Sequence, residues 1–532
     1  MASFQRRIEI YDTTLRDGSQ GEGISFSVED KIRIALKLDS FGVDYIEGGW
    51  PGSNPKDIEF YKQMRQQQLV NAKLTAFGST RRPSQKVELD PMVNELLLAD
   101  TPVITFVGKS WDFQVLEALR IDLDENLRMI ADTSAYFKKH DRKVFYDAEH
   151  FFDGYEANPG YTISCIRAAV EAGADCCVLC DTNGGTLPSR IISIVEEVKR
   201  AFPNVNIGIH THNDSECGVA NALVAVQAGA CHVQGTINGY GERTGNANLT
   251  SIIPALGIKL GFDILKPGAI AGLSELSAYL DEVSNVSPRN NAAYVGRSAY
   301  AHKGGLHVDA IRKHPKTYEH LDPSLVGNER RILVSELSGS ATILEKAHAK
   351  GLILDKSSPA TKAILRTVTE MENEGYSFEG AEASFDLLIK KCTGDYQPLF
   401  ILKGYRVIVE KRGDDAEPIT EATIKIEVNG KEELAVSEGD GPVNALDGAL
   451  RKALYRYYPH LANVLLTDFK VRVINQAGGT AARVRTIVES KSLDAERGYV
   501  RDSWSTVGVS TNVIEASWIA LVQSIEYGLS KH

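Results

Sequence analysis

Eight short apolar runs punctuate the first half of this chain: Arg7–Leu15, Tyr45–Trp50, Ala72–Gly78, Pro102–Gly108, Lys143–Phe151, Cys176–Gly184, Asn206–Asp214 and His232–Glu242. Amphipathic stretches separate them, as in Val28-Glu-Asp-Lys-Ile-Arg-Ile-Ala-Leu-Lys-Leu. Strands alternating with helical patterns read as parallel βαβ units. Eight such units in roughly 250 residues predict a (β/α)₈ barrel, a TIM barrel, over residues 1–265. A doubly wound sheet is the alternative. The barrel is favoured because polar, chemically active residues end nearly every run, at the rim where barrels keep their active sites.

The 532 residues exceed what one core accommodates, so further domains are expected. Residues 266–391 read as helical linker subdomains without a strand-rich stretch. Residues 392–532 read as an α+β domain. Strand-like runs at Tyr405–Lys411, Ala422–Val428 and Glu433–Ser437 precede a helix from Gly441. Runs at Phe469–Ile474, Ala482–Glu489 and Trp504–Ser510 precede another from Asn512. Ala445, Ala449 and Leu450 match Ala516, Ala520 and Leu521, which marks a duplicated βββα unit. Amide groups at the two helix starts, near Gly441 and Asn512, suit a small carboxylate.

Charge narrows the partners. A formal net charge of −11 argues against nucleic acid or an anionic membrane. No run approaches membrane-spanning length, and the opening residues lack the apolar core of a signal peptide. Seven cysteines, an odd number clustered mostly in one region, do not form a secreted disulfide framework. A reducing cytoplasm is the expected setting.

The rim carries a metal-like constellation. His210 and His212 are two apart on the seventh run, so both face the same way near the barrel mouth. Asp17 follows the first run, and Asn246 follows the eighth, which lies between the seventh and first once the barrel closes. Two imidazoles, a carboxylate and an amide oxygen suit Mn, Co, Zn or Fe, and less well Mg. An isolated His-x-His is more often a solvated pair; four matching ligand types on three adjacent strand ends reverse that reading.

Arg16 precedes the carboxylate ligand and can clamp a 2-oxo acid bidentately, or it can form a structural bridge to Glu47 at the end of the second run. Glu149 is a candidate base and Thr182 a candidate hydrogen-bond donor to a substrate carboxylate, although each taken alone reads equally well as a rim filler. Ser79, Thr80, Arg81, Lys109 and Ser110 also follow strands three and four. Cys177-Val-Leu-Cys180 is spaced like a zinc or redox pair, but residues three apart on a strand face opposite ways. Gly239-Tyr-Gly-Glu-Arg-Thr-Gly245 lacks both the glycine spacing and the context of a dinucleotide loop.

Asp12-Thr-Thr-Leu-Arg-Asp-Gly, Ile46-Glu-Gly-Gly, His210-Thr-His-Asn-Asp and Asn238-Gly-Tyr-Gly-Glu-Arg-Thr-Gly-Asn resemble the signatures of the 2-isopropylmalate, homocitrate and citramalate synthases. The duplicated C-terminal unit is similar to their allosteric domain. Gly48-Gly-Trp-Pro-Gly-Ser-Asn-Pro-Lys-Asp and the stretch from Val326 to Gly339 resemble the longer bacterial citramalate synthases. The resemblance implies condensation of acetyl-CoA with pyruvate to citramalate and CoA. 2-Isopropylmalate synthesis, and behind it homocitrate synthesis, are the alternatives. It implies Asp17, His210, His212 and Asn246 on a divalent metal (Mn, Co, Zn or Mg), with Arg16, Thr182 and Glu47 at pyruvate. It further implies Glu149 and His307 in proton removal, Tyr318 standing in for the family's catalytic tyrosine, a homodimer, and isoleucine as effector. A lyase or carboxyltransferase on the same barrel gives no account of the duplicated unit, and a non-catalytic amino-acid sensor gives none of the ligand set.

Overall fold

The computed structural model describes residues 6–302, 305–332, 359–378, 381–411, 413–414, 417–474, 482–493 and 500–531. By their contacts they sort into two units, 1–300 with 321–330, and 301–320 with 331–532.

In the first unit eight parallel strands close into a barrel in sequence order: β1 Glu9–Asp12, β2 Tyr45–Gly49, β3 Lys73–Ser79, β4 Val103–Lys109, β5 Lys143–Glu149, β6 Cys176–Asp181, β7 Ile207–Thr211 and β8 His232–Gly235. Pairing of Glu9 with His232 through Asp12 with Gly235 seals it. Each expected run holds one strand, and several strands stop well short. Arg7–Leu15 shrinks to Glu9–Asp12, and His232–Glu242 to His232–Gly235, because the polar ends of these runs turn out of the ladder to form the rim.

Local chemistry starts the surrounding helices. Ser27 and Asp30 form a reciprocal cap on the helix Val28–Phe41. Asn54, Asp90 and Asn158 cap helices whose first residue is Pro55, Pro91 or Pro159.

Alternation along the strands sorts the core into two layers. Tyr11, Tyr45, Val103, Phe145, Cys176, Val178 and Cys180 fill the barrel, while Cys177 and Leu179 pack outward among the helices. Cys177 and Cys180 thus lie on opposite faces, and burial pushes the Cys177 thiol up to about 12. At the strands' N-terminal end, Tyr45, Phe145 and His232 meet with ring centroids 5.0–5.7 Å apart. This aromatic floor closes the barrel opposite the rim. The helix Leu273–Val283 buries Leu273, Leu276 and Leu280 in the same core as the barrel.

In the second unit, β9 Ala301–His302 pairs in parallel with β10 Arg331–Ile332, a short exception to the all-helical reading. The helices Gly305–Lys313, Pro359–Asn373 and Glu382–Thr393 belong to this unit. The stretch 333–358, part of the expected helical region and of the motif beginning at Val326, lies outside the described residues.

Two antiparallel sheets follow: β11 Ile401–Glu410, β12 Ile419–Val428 and β13 Lys431–Gly439, then β14 Val464–Val473, β15 Val484–Leu493 and β16 Val500–Ser510. Each precedes one helix, Pro442–Leu454 or Val513–Leu529. The duplication extends to a register shift in the first strand of each sheet, between Leu402 and Gly404 and between Leu466 and Asp468. The matched Ala445, Ala449, Leu450 and Ala516, Ala520, Leu521 are all buried. Contact between β16 and its helix is close enough that a Cβ on Gly508 would lie 2.0 Å from the Ala516 carbonyl oxygen.

Candidate metal centre and active site

His210 occupies the penultimate position of β7, and His212 follows the strand, held by a bridge to Asn246. Asp17 lies in the turn after β1. Closure of the barrel brings these ends together. His210 Nε2 and His212 Nε2 are 3.2 Å apart, and Asp17 Oδ2 lies 3.5 Å and 4.0 Å from them. All three side chains are buried. Asn246 donates through Nδ2 to the Tyr240 carbonyl at 3.0 Å, while its buried Oδ1 has no partner among the described residues.

Electrostatics prepares the donors. Burial works against ionisation of Asp17, but Arg16 and then the two histidines outweigh it and hold the carboxyl at about 2. Burial, followed by the neighbouring His210, pushes His212 down to about 4. His210 is lowered as well, chiefly by burial. At neutral pH the cluster is one carboxylate and two neutral imidazoles, the protonation states that metal ligation needs. Two nitrogens converging with a carboxylate, beside an orphaned amide oxygen, fit a borderline divalent ion without thiolate ligands.

Arg16 satisfies both of its sequence readings. Its Nε meets Glu47 Oε2 at 2.6 Å, its Nη1 meets Asp17 at 3.2 Å, and its guanidinium carbon lies 3.8 Å from the centroid of the Phe77 ring. The fully buried Glu47 carboxylate also accepts from Tyr11 at 2.5 Å and from Thr13. Both of its oxygens are therefore engaged, and the geometry makes Glu47 a brace for Arg16. Beside Arg16 opens a cavity of about 240 Å³, lined in part by Gln20, Phe26, Lys31, Trp50 and Lys56. The buried Trp50 indole N–H there has no partner among the described residues.

Glu149 ends β5 and pairs with Lys109 of β4 at 2.5 Å. Thr182 Oγ1 accepts the His150 N–H at 2.8 Å, which leaves its own hydroxyl hydrogen to donate. Arg81 is committed to Glu125 and Asp132, each at 2.8 Å, and Ser110 to the Glu149 carbonyl at 2.7 Å. His307 and Tyr318 belong to the second unit, where their rings stack with centroids 4.1 Å apart.

Sequence reasoning missed Gln234 and Asp147, which lie in the barrel interior. Gln234 contacts His210 Nδ1 at 2.9 Å and donates to Asp147 Oδ1 at 3.1 Å. Burial, then the nearby Glu47, pushes the Asp147 carboxyl well up. The available signal was period two: Gln234 follows His232 by two on β8, and Asp147 precedes Glu149 by two on β5.

Comparison with known proteins places this geometry. The HMGL-like family matches residues 7–271, the homocitrate synthase post-HMGL domain-like family 294–375, and the LeuA allosteric (dimerisation) domain 379–529. The chain is 54% identical to an (R)-citramalate synthase of Aquifex aeolicus, over 99% of this chain and 98% of that one. It is also 54% identical to one of Geobacter sulfurreducens, over 98% of each. The chain belongs to the 2-isopropylmalate, homocitrate and citramalate synthase family. Its similarity to a 2-isopropylmalate synthase of Methanocaldococcus jannaschii is 30% over 99% of this chain and 95% of the other. The similarity to the (R)-citramalate synthases is thus well above that to the 2-isopropylmalate synthase.

Proposed function

We propose that this chain is an (R)-citramalate synthase, an acyltransferase that condenses acetyl-CoA with pyruvate. The observation that carries the reading is its end-to-end similarity to proteins of that name, well above its similarity to 2-isopropylmalate synthases. Asp17, His210, His212 and Asn246 would hold a divalent ion, which when bound polarises a 2-oxo group and stabilises charge on its oxygen.

The chain's own groups supply the rest. Arg16, braced by Glu47, binds the pyruvate carboxylate through its remaining N–H groups. Thr182 donates to the same carboxylate. Glu149, held in place by Lys109, takes a proton from the thioester methyl group. The resulting carbanion equivalent forms the new bond to the keto carbon of pyruvate, and hydrolysis of citramalyl-CoA releases CoA. His307 assists proton removal and Tyr318 takes the place of the family's tyrosine, both on the strength of the family resemblance.

We assign the C-terminal unit to dimer formation and to binding of isoleucine as effector, in keeping with the LeuA allosteric (dimerisation) domain it matches. Of the two helix starts, the one at Asn512 is already used, because its side chain accepts from the Ile514 and Glu515 N–H groups. The helix behind Gly441 has no side-chain cap, which favours that start over Asn512 for the effector carboxylate in this reading. No helix among the described residues is long and apolar enough to cross a membrane, in keeping with a soluble cytoplasmic enzyme.

The test is thiol release from acetyl-CoA with pyruvate, 2-oxobutyrate, 2-oxoisovalerate and 2-oxoglutarate in parallel. Pyruvate is expected to give the highest kcat/KM. A higher value with 2-oxoisovalerate would make the enzyme a 2-isopropylmalate synthase.

A further inference from the structure

We infer that Gln234 and Asp147 are positioning residues for the metal centre: Asp147 orients the Gln234 amide, and that amide holds His210 with its Nε2 lone pair directed at Asp17 and His212. The inference rests on the metal-binding reading above and deepens it.

The three residues come from three strands, β5, β8 and β7, and all face the barrel axis. Asp147 is 3% exposed, Gln234 1% and His210 5%. His210 and Gln234 are register partners across the β7–β8 ladder, so the barrel backbone fixes their separation. Gln234 Oε1 lies 2.9 Å from His210 Nδ1, and Gln234 Nε2 lies 3.1 Å from Asp147 Oδ1.

An imidazole that donates its Nδ1–H to a carbonyl oxygen keeps the proton off Nε2, the atom facing the cluster. Were the amide reversed, its NH₂ would face Nδ1, the ring proton would move to Nε2, and ligation through that atom would be blocked. Asp147 selects the productive orientation by accepting the amide N–H from the other side. A polar amide and a carboxyl in this interior carry a burial cost that hydrogen bonding must offset, and these two bonds are where Gln234 meets that cost.

The test is calorimetric titration of the chelator-stripped full-length chain with Mn²⁺, alongside the visible spectrum of the Co²⁺-loaded protein. Gln234→Met keeps the volume and removes both contacts. It is expected to raise the Mn²⁺ Kd by about 10–100-fold, the usual effect of losing a partner behind a ligating histidine, and to shift the Co²⁺ bands. Gln234→Glu retains an acceptor opposite Nδ1–H but loses the N–H given to Asp147, so its Kd is expected to rise by less than that of Gln234→Met. Asp147→Val should raise Kd by less than Gln234→Met.

If the Met variant fails to fold by circular dichroism, Gln234→Asn, which keeps the amide but cannot span the gap, takes its place with the same expected direction. Wild-type Kd and an unchanged Co²⁺ spectrum in the folded Met or Asn variant would overturn the relay while leaving the metal centre standing. Failure of the wild-type chain itself to take up Mn²⁺ would overturn the metal centre and the relay with it.

Discussion

Replacing Glu47 with glutamine isolates what its charge does for Arg16. The side chain is fully buried and receives Arg16 Nε, the Tyr11 hydroxyl and the Thr13 hydroxyl. A glutamine of the same length can keep its carbonyl toward Arg16 and Thr13. Its NH₂ can face Tyr11, whose own O–H is then free to donate to Thr105 Oγ1, 2.9 Å away. Most hydrogen bonds therefore survive, and the loss is the buried opposite charge. Removing one member of a buried ion pair costs about 3–5 kcal/mol, and the preserved contacts place Glu47→Gln near 3 kcal/mol in barrel stability.

Arg16 then has Asp17 as its nearest carboxylate, at 3.2 Å, and shifts toward it. A displacement of about 1 Å in a substrate-clamping group costs on the order of 100-fold in rate. The variant is therefore expected to lose about two orders of magnitude in kcat/KM for pyruvate, with KM rising, while its KM for acetyl-CoA changes little. Steady-state thiol release and differential scanning calorimetry read both quantities. Wild-type KM for pyruvate together with an unchanged melting temperature would refute the claim that Glu47 sets the position of Arg16.

Glu149→Gln should bind Mn²⁺ and pyruvate normally by calorimetry and lose turnover; a variant that no longer binds pyruvate would make Glu149 a structural residue instead. In chelator-treated protein, selectively labelled His212 should titrate by NMR near about 4, below the usual 6.5. Because its folded value is depressed, the neutral form's contribution to stability is complete above pH 6.5 and is lost as pH falls toward 4; a midpoint at or above 6.5 would contradict this. Isoleucine should inhibit the full-length enzyme, and saturating substrates should weaken isoleucine binding by the same coupling. A calorimetric titration with no heat of isoleucine binding would leave the C-terminal unit with dimerisation alone.

The eight strands were legible because barrel strands leave a repeating apolar signature. The proximity of Asp17, His210 and His212 was legible because each ends a run whose neighbours are set by closure. The C-terminal duplication was visible in small residues that later prove to press a helix against a sheet.

Other features depend on distances that a linear pattern does not encode. Gln234 and Asp147 become partners only across the barrel interior, and the Lys109–Glu149 pair only through the β4–β5 register. The amphipathic pattern of the helix Leu273–Val283 does not say which core receives its leucines. Asn512 and Gly441 look alike as helix starts until the asparagine is seen to spend its side chain on its own helix.

The aromatic floor of Tyr45, Phe145 and His232 makes the reaction chamber a cul-de-sac. Whatever reaches the cluster of Asp17, His210 and His212 passes over the rim, and it leaves the same way.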